Sequence, residues 1–161
     1  MSSYIVIDGW KSNIRFSSAH IIPEYEKCGR LHGHSYGVHI KIKGKPDNKG
    51  IIMDFSLVKE KLREIINILD HKILVPEKGK SITIKQHKGQ IEIILLDKRY
   101  VFPVNDCVLL PIESTSAENL ASYVLERFID ETTLPDEIEK IEIGIDEGYG
   151  QGARISRVFD K

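Results

Sequence analysis

Between residues 17 and 44 the chain reads SSAHIIPEYEKCGRLHGHSYGVHIKIKG, placing His20, Cys28, His32 and His34 within fifteen positions. His32 and His34 stand two apart in an alternating run, so on a strand their side chains project in parallel from one face. Two such imidazoles can share one tetrahedral cation, and Gly33 between them permits close backbone approach. His20 ends the preceding alternating run on its own apolar face. Antiparallel pairing could bring it opposite the H-x-H pair. Three nitrogen ligands leave zinc with an open fourth position, the arrangement of a catalytic rather than a structural site. Against this stands the simpler reading, in which a core-facing histidine is only a satisfied structural residue.

Cys28 has three readings. It could close a four-ligand structural site with the histidines, or lie beside the metal as a thiolate that moves a proton. A nearby cation would lower the thiol from its free value of about 8.5 toward neutrality. An inert buried thiol is the third reading, and the polar loop EYEKCGRLHGH argues against it.

These residues need elements to hold them. YIVID at 4–8 reads as a strand. In SNIRFSSAH the alternation puts Ile14, Phe16, Ser18 and His20 on one face, and in HGHSYGVHIKIKG it puts His32, His34, Tyr36, Val38, Ile40 and Ile42 together, with His39 on the lysine-bearing face and unrelated to the metal. Asp54 can cap a helix with the stripe Phe55, Val58, Leu62, Ile65, Ile66 and Leu69, ending before Pro76. From 80 to 112, SITIK, IEIILL, RYVFPV and CVLLPI read as short strands in added hairpins. A second helix opens at TSAENLASYVLERFID, with Thr115 and Glu118 as a capping box and Leu120, Val124, Phe128 and Ile129 as its stripe. Two closing strands surround a glycine-rich turn. The order argues for α+β, an antiparallel sheet with helices on one face, whose edge strands need covering or pairing; oligomerisation would supply that.

With 161 residues the protein suits one domain able to bury its own core. A net charge of −1 excludes the long-range attraction of a strongly basic domain, so no nucleic-acid partner is expected. No membrane partner is expected either, since no apolar run of membrane-spanning length occurs. Two cysteines, Cys28 and Cys107, and no secretory signal point to a reducing cytoplasm with both thiols free.

The blocks CGRLHGH, FSSAH, GIIMDF, LDHKIL and TSAEN, with a glutamate near the C-terminus, resemble 6-carboxy-5,6,7,8-tetrahydropterin synthase, within the wider 6-pyruvoyl-tetrahydropterin synthase family. They span nearly the whole sequence in family order. The resemblance implies the tunnelling fold (T-fold), a four-stranded antiparallel sheet carrying two helices, here with a β-rich insertion at about 77–110 in a single domain covering 1–161. It implies that trimers close the sheets into a barrel, that two trimers stack into a homo-hexamer, and that active sites lie between subunits. His20, His32 and His34 would hold Zn2+. Cys28 would be the catalytic base or acid, Asp70 and His71 would complete the proton relay, Glu147 would anchor the pterin, and Ser116 would stand near its ring.

The implied substrate is the pterin triphosphate 7,8-dihydroneopterin triphosphate. The implied reaction is its zinc-dependent conversion to 6-carboxy-5,6,7,8-tetrahydropterin, with loss of triphosphate and acetaldehyde. The short interval from Cys28 to H-G-H favours this carboxy branch; the pyruvoyl branch, which keeps the side chain, is the first alternative. A non-catalytic, zinc-stabilised oligomer binding a pterin or purine is the alternative of another class. The sequence departs from the family pattern in its insertion, in EGYGQGAR after Glu147, where a tight turn is the simpler reading with Asp146 pointing the other way, and at Asn119, which a helix N-terminus alone explains.

Overall fold

The alternating run that carries His32 and His34 becomes the longest strand of the protein, β3 (His32–Gly44), with Tyr36, Val38, Ile40 and Ile42 buried along the expected face. A computed structural model describes residues 2–160. One side of β3 is shared by β1 (Ser3–Ile7) and β2 (Arg15–His20), both antiparallel to it, and the other pairs with the penultimate strand. Ile14, Phe16, Ser18 and His20 are all buried, as their alternation requires.

Helix α1 (Phe55–Asn67) starts where Asp54 caps it, Oδ1 accepting from the amides of Ser56 at 2.6 Å and Leu57 at 3.2 Å. Val58, Leu62, Ile65 and Ile66 form the buried stripe, while Phe55 lies half out in solvent. The backbone then turns into β4 (Lys72–Pro76). Three of the four runs beyond it form a separate antiparallel meander, β5 (Thr83–His87), β6 (Gln90–Leu95) and β7 (Lys98–Pro103). The fourth does not make a hairpin. After a single 3-10 turn at Val104–Asp106 it becomes β8 (Cys107–Leu110), which joins the main sheet parallel to β4.

Helix α2 (Ala117–Glu131) buries Leu120, Ala121, Val124, Leu125 and Phe128. Its cap is Ser116 rather than Thr115: the Ser116 hydroxyl accepts from the Asn119 amide at 3.3 Å. The expected box fails because Thr115 is fully buried and occupied elsewhere, its hydroxyl donating to the Ile21 carbonyl at 3.4 Å. Strands β9 (Ile138–Glu147) and β10 (Gly152–Val158) complete the sheet.

Among the described residues the main sheet has seven strands in the order β10-β9-β3-β2-β4-β8, with β1 beside β3. It is wider than the expected four antiparallel strands because β4 and β8 extend it by parallel pairing and β1 adds an antiparallel strand beside β3. Helices and sheet enclose one large apolar cluster. The meander has a second, in which Ile91, Ile93 and Leu95 pack with Ile21, Val75 and Cys107. Both cysteines are free, and among the described residues no helix is long and apolar enough to cross a membrane.

Candidate metal centre and cleft

Antiparallel register sets His20 directly against His32, and the two-residue period returns His34 to the same face. The three imidazoles each offer a ligand atom, all within 4.8 Å of one another. Among the described residues this is the group that could hold a metal ion; Cys28 is not part of it. The His20 Nδ1 lies 2.9 Å from the Thr115 carbonyl and the His32 Nδ1 lies 2.7 Å from that of Arg30. A carbonyl only accepts, so both Nδ1 atoms donate and both Nε2 atoms present lone pairs. Those two Nε2 atoms face each other at 3.0 Å. Two bare acceptors so close repel unless a cation or proton lies between them, and about 3.3 Å is the ligand spacing of a tetrahedral zinc site. The His34 Nε2 is buried without a hydrogen-bond partner. The donor set therefore fits a divalent metal.

Burial lowers His20 to about 4; the Thr115 carbonyl works against this, and His32 and His34 add to it. Its ring is thus a neutral ligand at pH 7. The unfolded protein protonates His20 near the ordinary 6.5, so between pH 6.5 and 4 it binds the proton that the native state refuses. Stability of the metal-free protein conferred by this group is therefore complete above 6.5 and falls as pH drops toward 4, by on the order of 3 kcal/mol. Urea midpoints of the chelator-treated protein across this window, compared with His20→Gln, measure the effect. Equal slopes in both proteins would contradict it.

Beside the centre lies a cleft of about 750 Å³ whose lining includes Cys28, Ser116, Glu118, Glu147 and Gln151. Glu147, the last residue of β9, links the two, its Oε2 lying 3.8 Å from His34 Nε2. Its amide is held by the Gln151 carbonyl at 3.1 Å, and the next amide, Gly148, donates to the Ser35 carbonyl at 2.9 Å. Gly148 and Gly150 both have positive φ, 73° and 93°, which a tight turn requires. Tyr36 is buried against the imidazoles, its hydroxyl 3.3 Å from His20 Nδ1 and its ring stacked on Phe16 at 4.6 Å. Burial, with the Glu147 charge, pushes its phenol upward, so it stays protonated. Lys80, Glu113 and Tyr25 also line the cleft. No spacing in the sequence marks them, because they come in from segments far apart, the loop after β2 and the stretches flanking the meander.

Asp70 and His71 are in direct contact, His71 Nδ1 lying 2.9 Å from Asp70 Oδ2, with the His71 side chain 83% exposed. Burial pushes the Asp70 carboxyl up, but the Ser17 amide at 2.8 Å and the His71 interactions outweigh it, leaving the carboxyl below its usual range. His71 takes a left-handed φ of 57°, and its amide donates to the Ser17 carbonyl at 2.7 Å. His71 borders a second depression, lined also by Ser17, Gly33, Ser35 and the candidate ligand His34; neither residue of the pair lines the cleft of Cys28 and Glu147 within one protomer. On the reverse face of β9, Asp146 accepts from Trp10 Nε1 at 3.0 Å, His39 Nε2 at 2.8 Å and Arg154 Nη1 at 2.7 Å. His39 is thereby engaged away from the centre, and Asp146 and Glu147 serve opposite faces.

The sheet, the two helices and the imidazole group define the class: a T-fold protein with a candidate metal centre at the edge of an acidic cleft. Residues 10–157 match the family model described as 6-pyruvoyl tetrahydropterin synthase, and the protein belongs to that family, one of lyase-type enzymes. A Methanocaldococcus jannaschii protein provisionally named 6-carboxy-5,6,7,8-tetrahydropterin synthase is 37% identical over 150 residues, covering 91% of this sequence and 92% of that one. A Synechocystis protein named 6-carboxy-5,6,7,8-tetrahydropterin synthase is 40% identical over 63 residues, 35% of this sequence and 49% of that one. Among solved structures, the 6-pyruvoyl tetrahydropterin synthase of Plasmodium falciparum superposes with a TM-score of 0.90 at 31% identity, covering 98% of this protein and 99% of that one. That of Plasmodium vivax gives 0.90 at 28% identity, covering 99% of each.

Proposed function

We propose that the protein is a zinc-dependent enzyme that converts 7,8-dihydroneopterin triphosphate and one water to 6-carboxy-5,6,7,8-tetrahydropterin, releasing triphosphate and acetaldehyde. The observation that carries this reading is the continuity from the three-imidazole centre through His34 and Glu147 into the cleft that Cys28 lines. Zinc on His20, His32 and His34 would supply a Lewis acid for the oxygens of the substrate side chain. The protein groups do the rest. Cys28, half-buried in the cleft, acts as the base that takes the weakly acidic C–H proton from the substrate's side chain. Glu147 accepts from the pterin 2-amino group and the adjacent ring N–H, for which a carboxylate has two matching acceptors. Ser116 lines the same cleft near the ring, although its hydroxyl already caps α2.

Asp70 orients His71 as the relay that exchanges protons with solvent. Because this pair stands outside the cleft in one protomer, the complete site forms between subunits, in a hexamer of two stacked trimers acting in the cytoplasm. The domain is one unit, with the meander as its insertion.

The high structural similarity to the Plasmodium enzymes favours a second reading, 6-pyruvoyl-tetrahydropterin synthase, in which triphosphate is eliminated and the side chain retained. Product masses separate the two. Incubation with dihydroneopterin triphosphate is expected to yield the 6-carboxy product with acetaldehyde, and a 6-pyruvoyl product would instead establish the second reading.

A further inference from the structure

The meander at 83–103 makes its own three-stranded sheet, and among the described residues it forms no strand pairing with the main sheet. Its apolar residues pack on Val75 of β4 and Cys107 of β8, and also on Ile21, the first residue of the loop at 21–31 that carries Cys28. That loop is held internally by four backbone bonds: Ile22 to the Cys28 carbonyl at 2.8 Å, Tyr25 to Ile22 at 3.2 Å, Gly29 to Tyr25 at 2.6 Å and Arg30 to Lys27 at 3.1 Å. It is so tightly folded at Gly29 that a Cβ there would lie 2.4 Å from the Tyr25 carbonyl oxygen. A loop closed by one bond across its neck, with about half of its residues exposed, would open readily without external support.

The meander reaches both ends of this loop. At its start, Ile21, adjacent to the candidate ligand His20, is buried among Ile91, Ile93 and Leu95. Near its end, the half-buried Lys98 donates from Nζ to the Gly29 carbonyl at 3.1 Å. Lys98 is the first residue of β7 and pairs with Leu95 across a two-residue turn, so the burial of Leu95 anchors the backbone from which the lysine reaches Gly29. The bond is charge-assisted and lands on the residue following Cys28.

We propose that the meander is a positioning element for the Cys28 loop, and that Lys98 is the positioning residue through which it holds the thiol in the cleft. This rests on the role given to Cys28 above. Lys98 touches a backbone carbonyl and not the reacting atoms; it acts through the placement of its neighbour.

Amide hydrogen exchange on the full-length protein tests the tether independently of turnover. In Lys98→Met the amides of Ile22, Gly29 and Arg30 are expected to exchange about tenfold faster, while those of β3 and β9 are unchanged. In parallel, kcat falls about tenfold with KM and metal content near the parent's, and Lys98→Arg restores both exchange and kcat. Unchanged loop exchange in Lys98→Met overturns the proposal, as does faster exchange with full kcat. Failure of the Cys28 reading looks different: Cys28→Ala would then retain turnover, whatever the loop amides do.

Discussion

Cys28→Ala is expected to lower turnover of dihydroneopterin triphosphate by about 10²–10⁴-fold, the usual contribution of a positioned proton carrier, while the metal stays bound. Three observations lead there. The thiol lines the cleft and is only half-buried, so a substrate can reach it. It does not belong to the converging ligand group, which is complete with three imidazoles. The carboxylate that would hold the pterin lines the same cleft, so base and anchor act on one ligand. The variant separates the readings that the sequence leaves open. Lost turnover with one metal ion per protomer supports the proton carrier. Lost metal would make Cys28 a fourth ligand of a closed site. Retained turnover with retained metal would make the thiol a bystander.

The candidate centre was legible in the sequence because it depends on the simplest periodicity a polypeptide adopts. His32 and His34 share a face wherever a strand forms, and the apolar partners Tyr36, Val38 and Ile40 tell which face is inward. His20 followed once the two alternating runs were paired antiparallel. What stayed hidden has a common physical cause, namely contacts between segments far apart in sequence. CVLLPI and KILVP are short apolar runs without a period, so nothing in either predicts that they pair parallel to each other. Thr115 looks like a helix cap, yet its carbonyl lies 2.9 Å from His20 Nδ1, a contact spanning 95 positions. That tertiary demand moves the cap one residue along to Ser116. Lys98 is one lysine among many, and only the fold puts it against Gly29, 69 positions away.

His32→Ala carries the second large effect, and its sign should reverse with the metal. His32 is preferable to the fully buried His20 for this purpose, since it is partly exposed and its removal leaves little cavity. In the parent, metal at 100 times its Kd adds about 2.7 kcal/mol, which for a domain of this size raises Tm by about 5–10 °C. Losing one of three ligands should weaken binding by more than the roughly 10–100-fold cost of losing an outer partner, so at the same metal concentration the rise should nearly vanish. Without metal, near pH 8, the order changes. The parent then holds two lone pairs face to face at 3.0 Å, and the variant removes one of them. The bond from His32 to the Arg30 carbonyl is also lost, but it is exposed and water can replace it. The metal-free variant should therefore be at least as stable as the metal-free parent. A histidine serving only structure would behave otherwise, its truncation lowering Tm equally with and without metal. Elemental analysis tests the same point directly, because unchanged metal content in His32→Ala would remove His32 from the ligand set.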